Sequence, residues 1–180
     1  MIYDIIQEIK ADPSKNAKIA ILSKHKDNEL LKKVLVACYS PYVQYYIRKI
    51  PEYTPCTRPE PSLDLPTPLE EALEVLPALS SREFTGHAAQ DLLAGLLGDM
   101  SPEDAFIIER IIAKTMDAGF SESTVNKVWK KLIPTYPCLL AKGCDDKTIE
   151  RMTFPAYSQL KADGMRVNAH ITDGKVSLCG

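Results

Sequence analysis

No apolar run in this chain approaches the length that crosses a bilayer, which excludes a helical membrane span. The N-terminus, Met1-Ile2-Tyr3-Asp4, lacks the basic start and apolar core of a secretory signal, so the expected location is cytoplasmic. Cysteine is present but unpaired: Cys38, Cys56, Cys138, Cys144 and Cys179 are odd in number and show no Cys-x-x-Cys spacing. That pattern argues against a structural zinc or a disulfide framework and for reduced thiols. His87 has no second ligand near it in sequence, so no metal site is expected there. A net charge of −2 over 180 residues carries no overall nucleic-acid signal. The remaining composition, 45% apolar and 26% charged, is that of a globular chain able to bury one good core or two small ones.

What is present is unevenly placed. Residues 1–50 hold nine Lys/Arg against five Asp/Glu, and residues 51–100 hold two against nine. The first part is the better candidate for touching phosphates, although lysines on solvated helix faces explain the same count. Ile2, Ile5, Ile6 and Ile9 form one helical stripe, ended by Asp12-Pro13. A second helix is expected over about 15–24 and a third from an Asp27 cap, burying Leu30, Leu31, Val34, Leu35 and Cys38. Tyr39 to Ile50 reads as another short helix opened by Ser40-Pro41, and its Tyr42, Tyr45 and Tyr46 suit either base stacking or a core stripe. Six prolines from Pro51 to Pro68 with no apolar period imply a loop.

Helix starts are clearest in the middle of the chain. Thr67-Pro68 with Glu70 and Glu71 opens a helix to about Leu76. Thr85-Gly86-His87 opens the next, ending at Gly98, and its small first turn suits either a bound phosphate or close packing on another helix. Ser101-Pro102-Glu103-Asp104 starts a helix expected to reach Met116. Ser121 caps the last, with Val125, Val128, Trp129 and Leu132 inward and Lys127, Lys130 and Lys131 along an exposed basic edge. Such an edge fits contact with a nucleic-acid backbone, and solvated lysines fit it too. Ile133-Pro134-Thr135-Tyr136-Pro137 breaks the helical pattern and marks a domain boundary, after which Lys142 to Arg151 is a polar connection.

The stretch Phe154 to Arg166 reads as strand, tight turn, strand, with Lys161 on the rim, Asp163-Gly164 in the turn and a second run from Met165 to Ile171. A rim lysine freed of its proton by burial or by a neighbouring cation such as Arg166 is a nucleophile. Thr172-Asp173-Gly174-Lys175 repeats the turn pattern as a plain hairpin with an incidental lysine.

Gln159-Leu160-Lys161-Ala162-Asp163-Gly164-Met165-Arg166 resembles the Lys-x-Asp-Gly-x-Arg nucleotidyltransferase motif of ATP-dependent DNA ligases, most of all those of the T-even bacteriophages. Lys26 to Lys32, Gln44 to Ile47, Thr85 to Ala89, Asn126 to Trp129 with Leu132-Ile133-Pro134, and Pro137 to Ala141 are similar to stretches of those ligases in the same order. The resemblance implies an α+β fold: an all-α helical DNA-binding domain over 1–134, then over 135–180 the first antiparallel β-strands of a truncated nucleotidyltransferase (adenylation) domain. It implies that Lys161 carries AMP from ATP, that Gln159, Leu160 and Arg166 bind the nucleotide, and that Thr85, Gly86, His87, Lys127, Lys130 and Lys131 bind DNA. Many relatives have glutamate where Gln159 stands, and a glutamine carbonyl accepts the same adenine hydrogen bond.

The implied partners are nicked duplex DNA and ATP with Mg²⁺, whose ligands belong mostly to later motifs, and a sliding clamp is a further partner the family allows. The implied state is a monomeric viral protein in the host cytoplasm, serving DNA repair, replication and recombination. Because the later arginine, metal-binding acids and triphosphate lysines are not among these 180 residues, the expectation is that they are inactive alone. Two other classes share the central motif: an RNA ligase or capping enzyme, against which the long helical segment argues, and a non-catalytic duplex-binding module.

Overall fold

The computed structural model describes residues 1–56, 67–135, 143, 145–157, 164 and 167–179. It divides into two compact units, Met1–Pro134 and Thr135–Gly180.

The first unit is helical: α1 (Ile2–Ala11), α2 (Lys15–Lys24), α3 (Glu29–Tyr39), α4 (Pro68–Ser80), α5 (Gly86–Gly98), α6 (Pro102–Ile112) and α7 (Glu122–Val128). α6 is the centre, packed against α1, α3, α4 and α5, while α2 joins α1 to α7. Its Ala105, Ile107, Ile108, Ile111 and Ile112 are buried on several sides, and the α1 stripe Ile2, Ile5, Ile6 and Ile9 is buried against the same core. Each isoleucine so enclosed contributes about 1.5–3 kcal/mol. The start of α6 is local chemistry: the Ser101 hydroxyl accepts from the Asp104 N–H at 3.2 Å, and Pro102 occupies a first-turn position needing no donor.

Several expected boundaries move. The cap of α3 is Asn28, whose Oδ1 accepts from the Leu31 N–H at 2.9 Å, one residue after the expected Asp27. Tyr39 to Ile50 is not a second helix: α3 ends at Tyr39, Ser40 is extended, and the chain to residue 50 is irregular, with Tyr46 at φ 58°. A tertiary bond outweighs the local start signal there, since the Lys114 ammonium donates to the carbonyls of Ala37 (3.2 Å) and Ser40 (2.8 Å) and closes α3. α4 runs through Pro77 to Ser80 rather than stopping at Leu76, started by a complete capping box between Thr67 and Glu70. α6 stops at Ile112 rather than Met116, because Lys114 adopts a left-handed φ of 57° that sends its side chain to α3. α7 ends at Val128, so Lys130 and Lys131 lie past the helix.

A buried ammonium, that of Lys18, has no signal in the sequence. Lys18 is 5% exposed, and its Nζ donates to the carbonyls of Ile9 at 3.0 Å and Ala118 at 2.5 Å. It joins the last turn of α1 to the loop before α7. Gly119 beside it has φ +67°, and an added Cβ would lie 3.0 Å from that ammonium, so both backbone and space demand glycine.

In the second unit, a short helix α8 (Asp146–Glu150), capped by Asp145, stands where only a polar connection was expected. Phe154 to Tyr157 forms no strand; all four residues are exposed, Tyr157 at 96%. Strand β1 (Asn168–Thr172) pairs antiparallel with β2 (Lys175–Cys179), Thr172 opposite Lys175. Asp173 and Gly174 turn between them with φ of 49° and 75°, as a two-residue hairpin turn requires.

Replacing Lys18 by Met keeps the apolar stem but removes both bonds to buried carbonyls, and unfolding in urea should show a loss of about 3 kcal/mol. A loss below about 1 kcal/mol would contradict the bridging role. Burial pushes the Cys38 thiol from 9.0 up to about 12, against the opposing influence of Lys114 and Arg110. Its folded value is raised, so the folded state holds the proton longer, and stability present below pH 9 is lost as pH rises from 9 towards 12. Burial also raises Tyr39, Tyr45 and Tyr53, with the same sign above pH 10, whereas it lowers Lys114, which works in the opposite direction. Comparison with Cys38→Ala isolates the thiol. Relative to that variant, wild type should lose about 1.4 kcal/mol per pH unit above pH 9, and parallel stability curves from about pH 8 to 11 would refute the assignment.

Candidate nucleic-acid interface

The lysines foreseen at the end of α7 are presented by a tightly held loop. Asn126 clamps its ends, donating from Nδ2 to the Ile133 carbonyl at 2.8 Å and accepting from the Ile133 N–H at 2.9 Å. Within the loop Trp129 is buried and its Nε1 donates to the Lys26 carbonyl at 2.9 Å. Lys127, Lys130 and Lys131 are exposed, and among the described residues none makes an ion pair or a side-chain hydrogen bond. Lys131 has a left-handed φ of 59°. The result is a rigid backbone carrying three unpaired cations, suited to a polyanion. Val125 and Trp129 are buried, whereas Val128 and Leu132 are only half-buried.

Thr85, Gly86 and His87 begin α5 and are all exposed. The Thr85 side chain makes no cap bond, and Gly86 takes φ +57° with open space around it. The first-turn N–H groups therefore have no side-chain acceptor; Gly86, His87 and Ala88 are exposed, whereas Ala89 after them is buried in the core. α5 packs on α6 and α7 on α2, so the two expected stretches sit on different helices with different neighbours.

Of the three tyrosines left between core and surface roles, Tyr45 is core: it is 4% exposed and its hydroxyl donates to the Ala37 carbonyl at 3.1 Å. Tyr46 is 64% exposed, and the Arg82 guanidinium carbon lies 5.0 Å from its ring centroid. Sequence reasoning missed Arg82. The available signal was an arginine at the end of a helix where glycine is usual.

Elsewhere the charges are spent locally. Asp117 is held below the ordinary carboxylate range by its hydrogen bond and charge contact with Lys10, and Glu70 by the Thr67 backbone and hydroxyl. A cavity of about 720 Å³ lies between α3 and α4, floored by Val36, Val43, Leu73, Leu76 and Leu132, and contains none of the expected site residues. Among the described residues no group of His, Cys, Asp and Glu is arranged to hold a metal, and Cys38 and Cys56 are free thiols. No helix of the described residues is long and apolar enough to cross a membrane. Gln159, Leu160, Lys161, Asp163 and Arg166, and the Pro137 to Ala141 stretch, lie outside the described residues.

No family model matches the chain. It is 41% identical over 172 residues to the DNA ligase of Enterobacteria phage T4 and, at the same identity and length, to that of Enterobacteria phage T6. The match covers 95% of this chain and 35% of each relative, so the chain spans about a third of their length. The chain is also similar to solved structures. One titled "Pmar-Lig_PreS3" has a TM-score of 0.67 at 26% identity over 84% of this chain and 35% of that one. Another, titled "Pmar-Lig_Pre.", has a TM-score of 0.69 at 25% identity over 99% of this chain and 41% of that one. At 41% identity, nearly all of this chain is similar to about a third of the length of the T4 and T6 bacteriophage DNA ligases.

Proposed function

We propose that this chain is the DNA-holding part and the start of the catalytic part of an ATP-dependent enzyme that seals nicks in duplex DNA. The observation that carries this is the 41% identity to two phage DNA ligases over 95% of the chain. Residues 1–134 are the DNA-binding domain in this reading, and 135–180 begin the nucleotidyltransferase domain, with β1 and β2 among its first antiparallel strands. The exposed, unpaired Lys127, Lys130 and Lys131 and the uncapped start of α5 at Thr85, Gly86 and His87 support backbone phosphates as the ligand.

Lys161 is the proposed nucleophile. Its uncharged amine attacks the α-phosphorus of ATP, the bond to the β-phosphate oxygen breaks, pyrophosphate leaves and the amine proton passes to solvent. AMP is then transferred from Lys161 to the 5′-phosphate of a nick, and the 3′-hydroxyl displaces it to close the strand. Arg166 holds the nucleotide sugar, Gln159 accepts a hydrogen bond from the adenine amino group, and Leu160 lies against the nucleotide. Mg²⁺, when bound, neutralises phosphate charge in such transfers. The described residues offer no ligand cluster for it, and no residue of this chain is assigned to it.

With the full gene product carrying this chain and radiolabelled ATP, label should remain on the protein after denaturation and be absent from Lys161→Ala. Equal labelling of the two would remove Lys161 as the nucleophile. Changing Lys127, Lys130 and Lys131 together to Ala should lower the slope of log K against log salt for duplex DNA by about 0.9 for each phosphate these lysines neutralise. An unchanged slope would leave them as solvated lysines.

A further inference from the structure

We propose that Arg82, mounted on the Tyr46 ring, contacts a backbone phosphate of the bound duplex, with Tyr46 as the residue that positions it. The inference rests on the DNA-binding reading and adds to it a site on the turn between α4 and α5.

The first observation is the conformation. α4 ends at Ser80, and the next residues close it by paired backbone bonds, Arg82 N–H to the Leu79 carbonyl at 3.2 Å and Glu83 N–H to the Ala78 carbonyl at 3.0 Å. In such an ending the residue at the position of Arg82 is left-handed, which is why glycine is the usual occupant. Arg82 holds φ at +63°. Tyr46, its stacking partner, holds φ at +58°. Two L side chains that face one another thus both hold a backbone conformation that disfavours them.

The second observation is that the fold itself makes little use of the cation. Lys114 occupies the equivalent left-handed position after α6, and its ammonium is spent on the carbonyls of Ala37 and Ser40. Arg82 has no such task. It is exposed, and among the described residues its guanidinium makes no ion pair and no hydrogen bond. This is so although residues 51–100 carry nine carboxylates against two Lys/Arg, and Arg82 is the one lysine or arginine of that segment among the described residues. A partner from within the protein was available in sequence, Glu83 next to it being exposed, and is not taken. The guanidinium carbon lies over the Tyr46 ring, 5.0 Å from its centroid, and its N–H groups take no acceptor among the described residues. A stacked arginine with an open edge matches a phosphate, to which it can donate two parallel hydrogen bonds. Three residues on, Thr85 begins the uncapped end of α5, so the same turn offers a second set of donors.

The left-handed backbone supplies a clean test, because glycine suits both positions better than the residues present. In the 180-residue chain, Arg82→Gly should melt no lower than wild type, bind duplex DNA about tenfold more weakly at moderate salt, and show a slope of log K against log salt smaller by about 0.9. Tyr46→Gly should also melt no lower and weaken binding, but with the slope kept nearer to wild type because the charge remains. Arg82→Lys should retain the slope and lose part of the affinity. If Arg82→Gly binds with wild-type affinity and slope, or if its only effect is a lowered melting temperature, the proposal is wrong while the DNA reading stands. If wild type does not bind duplex DNA at all, the DNA reading fails and takes this inference with it.

Discussion

The helical unit depends on a charge placed where there is almost no water. Lys18 carries its ammonium to the end of α1 and to the loop before α7, and the carbonyls of Ile9 and Ala118 replace the solvent it has lost. Two backbone segments more than a hundred residues apart in sequence are thereby held at one point. α7 then packs on α2, Trp129 is fastened to the Lys26 carbonyl, and Asn126 closes the loop on Ile133. The exposed lysines at 127, 130 and 131 inherit their placement from this chain of contacts. Lys114 does a similar task at the end of α3, and the chain after it becomes the irregular segment that carries Tyr46.

Positive charge is put to different uses in this molecule. Lys18 donates to the carbonyls of Ile9 and Ala118, and Lys114 to those of Ala37 and Ser40 at the end of α3. On the surface of the same unit Lys10 pairs with Asp117 and Lys32 with Glu29, whereas Lys127, Lys130, Lys131 and Arg82 take no acidic partner among the described residues. Unpaired cations of this kind are suited to a polyanion, since an internally paired cation must be freed before it can meet a phosphate.

Much of the helical architecture was legible because its signals are local. The isoleucine stripe of α1, the Thr67-Pro68 and Ser101-Pro102 starts and the Gly98 end depend on neighbours a few residues away, and the observed elements follow them. The errors have a common origin in distant contacts. Ser40-Pro41 looked like a helix start, but the carbonyls before it are taken by Lys114, more than seventy residues on. The run to Met116 looked continuous, but Lys114 leaves the helix to reach them. The helix opened by Thr67-Pro68 was expected to end near Leu76, yet α4 continues through Pro77 to Ser80 with Leu76 and Leu79 buried in the core. Nothing local marked Lys18 as buried, since a lysine at that helical spacing reads as a wet face. At the candidate interface, Lys127, Lys130 and Lys131 could be named because basic residues near a helix end are visible in sequence. Arg82 could not, because its meaning lies in a backbone conformation and in a ring thirty-six positions earlier. The Lys161 reading rests on its motif, and the residue lies outside the described ones.

Everything proposed for these residues requires that the helical unit hold duplex DNA through its phosphates. The most direct measurement is the equilibrium affinity of the 180-residue chain for a nicked duplex across a range of salt concentrations. Binding whose log K falls linearly with log salt, with a slope of several units, is the predicted result. Affinity that is absent, or indifferent to salt, would contradict it.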